Sequence, residues 1–485
     1  MRLLVVAVIG VLAFTGCSGD GPKQQKSVRH PRATVQPVQQ VHGTAGDASI
    51  GDPYFPESGN GGYDVAHYDL RIRYDPTSPK VRATTTIDSL ARVNLRSFNL
   101  DFAGLTIDAL TVDGRRASFT RRGSELAIHP WRSIAAGHHF LTRVRYHGVP
   151  RTVTDPSESA PSKAGQLGWT RNPNGSVFVA SEPIGARTWF PSNDHPADKA
   201  TFDITVDVPG GIAVASNGAL EPTETRNGRR AWHWSMKQPM ATYLATVVIA
   251  PMKQESTASP AGVTIRNFFP SAAYDEDVPF FAKTGSMIDY FATLFGPYPF
   301  DQYGAVVVQP ELGYALETQT LSLFGSDMLG TDIDAETTVA HELAHQWFGD
   351  SVGIRAWSDI WLNEGWATYA QFLWQAHADP KFNLNRFMVN LRASQEPDLT
   401  APNDPGADGL FTDAIYLRGA LTLHALRITV GDTAFFDLAQ QWTAKYRYGT
   451  ATTADFVALT NAVAGRDLTD FFHAWLDADT VPPLP

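Results

Sequence analysis

The sequence predicts an α+β chain with more than one domain, and three observations lead to this expectation. Its 485 residues are enough for two or three domains with a large core. Short alternating runs recur from residue 52 to residue 251, whereas apolar residues recur at helical spacing after about residue 259. We therefore expect residues 51–257 to form an antiparallel β-sheet or sandwich domain, and residues 258–485 to combine a small sheet with several helices.

In the first region, alternation of apolar and polar residues predicts strands. Turns rich in glycine, proline and asparagine, such as residues 209–211 and 226–228, separate these strands. The region contains no long helical period and no internal repeat. The predicted strands are residues 68–74, 83–88, 106–112, 140–146, 202–208 and 243–249.

In the second region, residues 263–269, 305–308 and 316–324 predict strands. Residues 278–295 predict a helix that Gly296 and Pro297 end, since neither residue continues a helix well. Four later runs also show helical spacing, and Asp432 is the predicted N-cap of the second. These runs are residues 412–430, 432–446, 453–463 and 469–476.

The strongest chemical signal is the pentapeptide His341-Glu342-Leu343-Ala344-His345. In a helix, residues four apart share one face and lie about 6 Å apart, so both imidazoles reach one metal ion. Glu342 points away from that face, and we therefore expect a general base rather than a ligand. The surrounding apolar residues predict a buried helix that ends at Gly349.

A third ligand follows at Glu364, which opens a helical run over residues 364–374. Two imidazoles and one carboxylate are the three-ligand zinc set of hydrolases, in which water takes the fourth position. The pattern predicts one Zn²⁺ per chain, bound by His341, His345 and Glu364. The alternative interpretation is two core histidines and a surface carboxylate.

The first 50 residues predict an exported chain. Met1 and Arg2 precede an apolar run over residues 3–14 that is too short to span a bilayer, which indicates a signal peptide over residues 1–17. Cys17, the only cysteine, follows small residues and resembles a bacterial lipoprotein cleavage site, where the cysteine carries the lipid. An ordinary secretory signal is the alternative. Residues 18–50 predict a flexible linker, and a single cysteine excludes an intrachain disulfide.

Composition limits the class of protein. Hydrophobic residues make up 43% and charged residues 18%, which is ordinary for a soluble globular protein. The net charge is −11 and the isoelectric point about 5.7, without a long basic run, so we expect no nucleic-acid binding. The acidity relates to solubility and says little about substrate.

Residues 341–349 and 361–367 resemble the two zinc segments of the aminopeptidase N family of zinc gluzincins. Residues 63–68 and 471–475 fit the same family, so the resemblance runs from about residue 52 to the end. It implies an N-terminal β-saddle domain and a thermolysin-like catalytic domain. The sequence stops before the large helical C-terminal domain that is usual in the family, so the resemblance is to a short form.

The resemblance also implies further site residues. Residues 314–318 match the segment that recognises the substrate amine and keep its acid at Glu317. Residues 180–182 match a second amine-binding segment and keep its acid at Glu182. Tyr416 matches the tyrosine that stabilises the oxyanion. Ordinary solvated or ion-paired acids, and a buried structural tyrosine, are the alternatives.

Together these features predict an exported zinc aminopeptidase that removes the N-terminal residue from peptides with a free N-terminus. Glu342 would activate a zinc-bound water, and Tyr416 would stabilise the oxyanion. Residues 316–324, as an edge strand, would pair with the substrate backbone. Asp359 is a candidate to orient a ligand histidine, and an ordinary capping or surface role is the alternative. The alternatives are a thermolysin-type endopeptidase and a non-catalytic, surface-anchored binding lipoprotein. The sequence does not indicate an oligomeric state.

Overall fold

The computed structural model describes residues 42–157, 165–309, 312–330, 332–394 and 401–485. The predicted signal segment, Cys17 and the linker up to residue 41 lie outside the described residues. No helix among those described is long and apolar enough to cross a bilayer.

The strands, numbered in chain order, are β1 Thr44–Ala45, β2 Tyr63–Tyr74, β3 Val81–Ala91, β4 Leu95–Asp101, β5 Thr106–Val112, β6 Arg115–Arg116, β7 Ser118–Arg122, β8 Glu125–His129, β9 His139–Gly148, β10 Val153–Thr154, β11 Gln166–Arg171, β12 Val177–Ala180, β13 Ala200–Pro209, β14 Ala213–Ser216, β15 Ala219–Leu220, β16 Glu224–Arg226, β17 Arg229–Met240, β18 Val247–Ala250, β19 Met252–Ala258, β20 Thr264–Pro270, β21 Gln302–Tyr303, β22 Ala305–Val308, β23 Ala315–Leu316, β24 Ser322–Gly325, β25 Gly353–Ile354 and β26 Thr450–Ala451.

The α-helices are α1 Tyr274–Asp277, α2 Thr284–Phe295, α3 Asp332–Ala344, α4 Trp361–Ala378, α5 Leu384–Ser394, α6 Gly419–Val430, α7 Asp432–Lys445, α8 Thr453–Ala464 and α9 Thr469–Phe472. Short 3₁₀ turns occur at Ala186–Thr188, Thr242–Leu244, Val278–Phe281, Ser326–Leu329 and Trp357–Asp359, and π-helical turns at Ala414–Arg418 and His473–Asp477.

The first half of the described chain is built from β-sheets. The largest runs in the order β15-β17-β13-β2-β3-β9-β5-β6, with β16 beside β17, and its strands pair antiparallel except for β13 and β2. A smaller sheet, β1-β4-β8-β7, and a third, β10-β11-β12-β18-β14, accompany it. Alternating burial along β3, β9 and β13 places their apolar residues in the core, as the period of two requires.

The second half joins a sheet to helices, which confirms the α+β prediction. Its sheet runs β19-β20-β22-β24-β23 with β21 beside β20, so β23 lies at one edge of the described strands. Helices α3 and α4 pack together, and α4 also packs on α6. The predicted boundary between residues 257 and 258 falls within β19, which pairs with β20. The division at that boundary remains a prediction.

Most predicted strands lie within observed ones, but two predictions are wrong in part. Residues 316–324 do not form one strand: β23 and β24 are antiparallel and residues 317–321 turn between them. Thr320 has φ of 65°, a left-handed conformation that breaks an extended run. Residues 243–249 begin as the 3₁₀ turn Thr242–Leu244, and only β18 is a strand.

The ends of several helices also differ from the prediction. The helix predicted from residue 278 starts as a 3₁₀ turn with Pro279 near its beginning, and the regular helix begins at Thr284. The helix predicted from residue 412 opens with the π-helical turn. Gly431, not Asp432, holds the N-cap position of α7. The Asp432 carboxylate instead accepts two hydrogen bonds from Arg427, at 2.8 and 2.9 Å.

The flexible linker ends earlier than the predicted residue 50. Strand β1 lies parallel to β4, and the Thr44 N–H donates to the Asn94 carbonyl oxygen at 2.9 Å. The Gly46 N–H likewise donates to the Ser97 carbonyl oxygen at 2.8 Å. These backbone hydrogen bonds fix the chain against the sheet from about residue 44.

Candidate metal centre

Helices α3 and α4 bring the three predicted ligands together. The His341 Nε2 and His345 Nε2 atoms lie 3.1 Å apart, and they lie 3.2 and 3.3 Å from Glu364 Oε2. The histidines are one helical turn apart around the end of α3, and the carboxylate projects from the first turn of α4. His345 and Glu364 are buried, and His341 is nearly so, which keeps bulk water from competing for these groups.

The outer nitrogen of each imidazole is held by a neighbouring oxygen. His341 Nδ1 lies 2.9 Å from Gln371 Oε1, and His345 Nδ1 lies 3.0 Å from the Phe348 carbonyl oxygen. Because both oxygens only accept, each Nδ1 carries the proton and each Nε2 presents a lone pair to the centre. Gln371 was missed in the sequence, although it lies two helical turns after Glu364 and so on the same face of α4.

Asp359 does not orient a ligand histidine, so that expectation is wrong. Its Oδ1 accepts hydrogen bonds from the Thr453 N–H and hydroxyl, each at 2.8 Å. Asp359 therefore accepts a hydrogen bond from a backbone N–H at the start of α8 and does not contact the metal ligands.

The donor set fits a zinc ion. Around a tetrahedral ion with bonds of about 2.0–2.1 Å, ligand atoms are separated by about 3.3 Å, which the observed 3.1–3.3 Å approaches. Two imidazole lone pairs 3.1 Å apart repel each other unless a proton or a metal cation lies between them. Burial opposes ionisation of Glu364, whereas positive charge on the adjacent His345 imidazole lowers its pKa to about 2; a bound cation would likewise keep the carboxylate charged, as a metal ligand must be.

Glu342 and Tyr416 line the cavity beside these ligands, which has a volume of about 280 Å³. Glu342 is buried, and its burial raises the pKa of the carboxyl well above 4.5. The Tyr416 ring lies against the ring of His341, with centroids 6.0 Å apart and an interplanar angle of 29°. Glu342 and Tyr416 thus border the same cavity as the three predicted ligands.

Two further carboxylates, Glu182 and Glu317, complete an acidic cluster with Glu364. Oxygen atoms of the three lie within 4.8 Å of one another. In the described part of the chain, Glu182 Oε1 and Glu317 Oε1 are buried without a hydrogen-bond partner. Burial raises the pKa of Glu317 to about 7 and that of Glu182 well above 4.5. Two buried carboxylates without a positive partner can bind a cationic group of a ligand.

The turn that carries Glu317 is tied to the metal centre by Gln346. The side-chain amide of Gln346 donates to the Glu317 carbonyl oxygen at 3.3 Å, and its oxygen accepts from the Thr320 N–H at 2.8 Å. Since Gln346 directly follows His345, the same segment positions a metal ligand and the acidic turn. The sequence did not indicate these hydrogen bonds, because residues 316–324 were predicted to be one strand and not two strands joined by a turn.

A second cavity, of about 220 Å³, adjoins the first. Both cavities are bordered by Glu182, Leu316 and Tyr416. The far part of the second cavity is bordered by Phe411 and by the acidic residue Asp408. A ligand bound beside the acidic cluster can therefore extend a side chain into it.

Three other histidines contact residues outside the centre. His67 contacts Thr201, His195 contacts Asp52, and His424 contacts Tyr369. The large aromatic residues near the ligands in sequence are buried in the core. They are Trp347, Phe348, Trp357, Trp361, Trp366 and Tyr369.

Comparison with known families matches two parts of the chain. Residues 65–244 match the Peptidase M1 N-terminal domain, and residues 281–475 match the Peptidase family M1 domain. Among curated relatives, an aminopeptidase N from Rattus norvegicus is 28% identical over 63% of this chain and 34% of that protein. An aminopeptidase N from Streptomyces lividans is 29% identical over 62% of this chain and 38% of that protein. The chain thus spans little more than a third of these two relatives.

Solved structures cover more of the chain. An M1 zinc metallopeptidase from Deinococcus radiodurans, a variant bound to a Tyr-Ser-Ala substrate, superposes with a TM-score of 0.81 at 30% identity. The match covers 90% of this chain and 99% of that one. The same metallopeptidase in another structure gives a TM-score of 0.80 at 29% identity.

Proposed function

This chain belongs to peptidase family M1, and from that premise we propose that it is a zinc aminopeptidase, which hydrolyses the first peptide bond of substrates with a free N-terminus. The observation that carries the proposal is the pair of buried acids, Glu182 and Glu317, beside the three-ligand set. A hydrolytic centre alone fits any zinc peptidase. The acids add a place for a cation a short distance from that centre.

In this proposal the chemistry is divided among named groups. Zinc, when bound, supplies a Lewis acid that polarises the scissile carbonyl and makes water more acidic. Glu342, which lines the same cavity as the ligands, takes a proton from the attacking water and passes it to the leaving amine. The Tyr416 hydroxyl donates a hydrogen bond to the oxyanion that forms on the carbonyl carbon.

The α-ammonium of the substrate would be bound by Glu182 and Glu317. A carboxylate accepts a charge-assisted hydrogen bond from an ammonium, and the interaction is stronger where water is excluded. Because the ammonium lies one residue from the first peptide bond, holding it here places that bond at the metal. The side chain of the first residue would then extend into the second cavity. An endopeptidase has no use for such a cation site, so the acids favour an aminopeptidase.

Replacing Glu317 with alanine is expected to raise KM for substrates with a free amine about tenfold or more, because one charge-assisted contact to the ammonium is lost. Steady-state kinetics on aminoacyl chromogenic amides would measure the change. Glu224→Ala, at an exposed acid on β16, is the matched control and should leave KM unchanged. Equal KM values for wild type and Glu317→Ala would refute the amine-binding role.

A comparison of free and N-acetylated peptides of one sequence tests the class of peptidase directly. The proposal expects cleavage after the first residue of the free peptide and no cleavage of the blocked one. Internal cleavage of both peptides at similar rates would support the thermolysin-type alternative. A protein that binds zinc yet cleaves neither would support the non-catalytic alternative.

We also propose that the chain is exported and anchored to the bacterial cell surface by lipid on Cys17. The support is the order of a charged start, an apolar run over residues 3–14 and small residues before Cys17. Intact mass spectrometry of the protein from membranes should show a chain that starts at Cys17 and carries diacylglycerol. A mature chain that is cut elsewhere and has an unmodified cysteine would contradict the lipid anchor. It would support the alternative, an ordinary secretory signal.

A further inference from the structure

One part of this acidic protein has the opposite charge. Residues 92–147 contain nine arginines, no lysine and four acids, for a net charge of +5, whereas the whole chain carries −11. These residues form β4 to β9, at the β9-β5-β6 end of the largest sheet and in the sheet beside it. A local charge of this sign in an acidic chain concentrates positive potential on one side of the fold.

Seven of these arginines are exposed and, in the described part of the chain, form neither a salt bridge nor a side-chain hydrogen bond. They are Arg96, Arg115, Arg116, Arg122, Arg132, Arg143 and Arg145. By contrast, Arg92 pairs with Asp64 in the same region. We call Arg115, its neighbour Arg116, Arg132 and Trp131 the basic edge. Their charge faces solvent and is available to an external anion.

Trp131 gives the basic edge an apolar centre. Its side chain is 48% exposed, and two guanidinium groups contact its ring. The Arg115 and Arg132 Cζ atoms lie 4.0 and 4.8 Å from its ring centroid. Nearby, Leu141 is also exposed, and its N–H donates to Asp113, two residues before Arg115. Exposed aromatic and aliphatic groups among arginines suit an interface that offers both phosphate and hydrocarbon.

The described chain enters the fold at this side. Thr44 pairs with Leu95, and Leu95 in turn bridges to Ile134, two residues after Arg132. The sequence before residue 42 contains the apolar run and Cys17, followed by four basic residues against one acid between residues 18 and 41. The segment with the features of a membrane anchor therefore precedes, in the sequence, a strand that pairs close to Arg132.

We propose that the basic edge docks on the surface of an anionic phospholipid bilayer. The arginines contact headgroup phosphates, and Trp131 enters the interfacial layer beside them. Each basic residue near an anionic surface adds attraction that salt screens, and an interfacial tryptophan adds apolar burial. A nucleic acid would offer phosphate alone and leave Trp131 and Leu141 without an apolar partner, so the bilayer is the favoured occupant.

The test uses residues 18–485, which lack the apolar run over residues 3–14 and Cys17, so that neither a signal segment nor lipid contributes to binding. Cosedimentation would be measured with phosphatidylcholine vesicles that contain or lack phosphatidylglycerol, at low and high salt. The proposal expects binding to the anionic vesicles only, weakened by salt. Reversing Arg115, Arg116 and Arg132 to glutamate should reduce the partition coefficient about tenfold or more, because three attractions become repulsions.

The matched control is Lys253→Glu, Lys381→Glu and Lys445→Glu, which changes net charge equally at exposed sites elsewhere in the fold. This control should bind vesicles nearly as the parent does, and Trp131→Ala should bind several times more weakly. Circular dichroism would confirm that each variant is folded. Equal loss in both triple variants, no loss in either, or binding to duplex DNA without binding to vesicles would overturn the proposal. The result is independent of peptidase activity.

Discussion

Glu342→Gln is expected to lower kcat about a thousandfold or more while leaving the zinc content of the protein unchanged. Glutamine has nearly the shape of glutamate but does not accept the proton of the attacking water. Glu342 lines the cavity without belonging to the group of three ligands, so the metal should remain bound. Kinetics on aminoacyl chromogenic amides, with metal analysis of the same samples, would measure both effects.

Tyr416→Phe provides a graded comparison. Removing one hydrogen bond to the oxyanion should lower kcat about a hundredfold with a small change in KM, which is less than the loss of the general base. Unchanged activity in Glu342→Gln would remove the mechanism. A loss accompanied by missing zinc would show instead that Glu342 acts through the metal.

His345→Ala is expected to lower zinc content from about one per chain to near zero and to abolish hydrolysis. In the proposed site the histidine supplies one of three ligand atoms, and its loss would leave two donors, too few for a stable site. The apparent melting temperature in the presence of zinc should fall as well, because a metal bound only by the folded chain stabilises it. Atomic absorption on the purified variant, with a thermal melt, would measure these changes.

His473→Ala is the matched control, since its side chain is 75% exposed and pairs only with Asp477 among the described residues. It should retain zinc, activity and melting temperature. Dialysis of the wild type against a chelator should abolish activity, and added zinc should restore it. Full zinc content and activity in His345→Ala would contradict the assignment of the ligands.

The proximity of His341, His345 and Glu364 was predictable because its signals are local. His341 and His345 lie one helical turn apart, and a fixed helical spacing converts directly into a shared face. The step from this pair to Glu364 needed the neighbouring helix, and the chemistry of zinc supplied the expected third donor. The α+β class was equally predictable from the sequence, since apolar residues recur with a period of two in the first part of the chain and of 3.6 in the second.

The structure around these three residues was harder to predict from the sequence. The turn at residues 317–321 interrupts an apolar run that alternates as a strand does, and its left-handed Thr320 is stabilised by Gln346 and Gly218, which are distant in sequence. Asp359 illustrates the reverse error: an acid near two histidines in sequence binds backbone at α8 instead. Contacts between distant segments decide these roles, and a single sequence does not display them.

The proposed mechanism requires His341, His345 and Glu364 to hold one zinc ion beside Glu342. Anomalous diffraction at the zinc edge, from crystals of the wild-type protein, would locate that ion. We expect a single strong peak about 2.0–2.2 Å from His341 Nε2, His345 Nε2 and a Glu364 carboxylate oxygen. A zinc-dependent enzyme whose only anomalous peak lies away from these three atoms would contradict it.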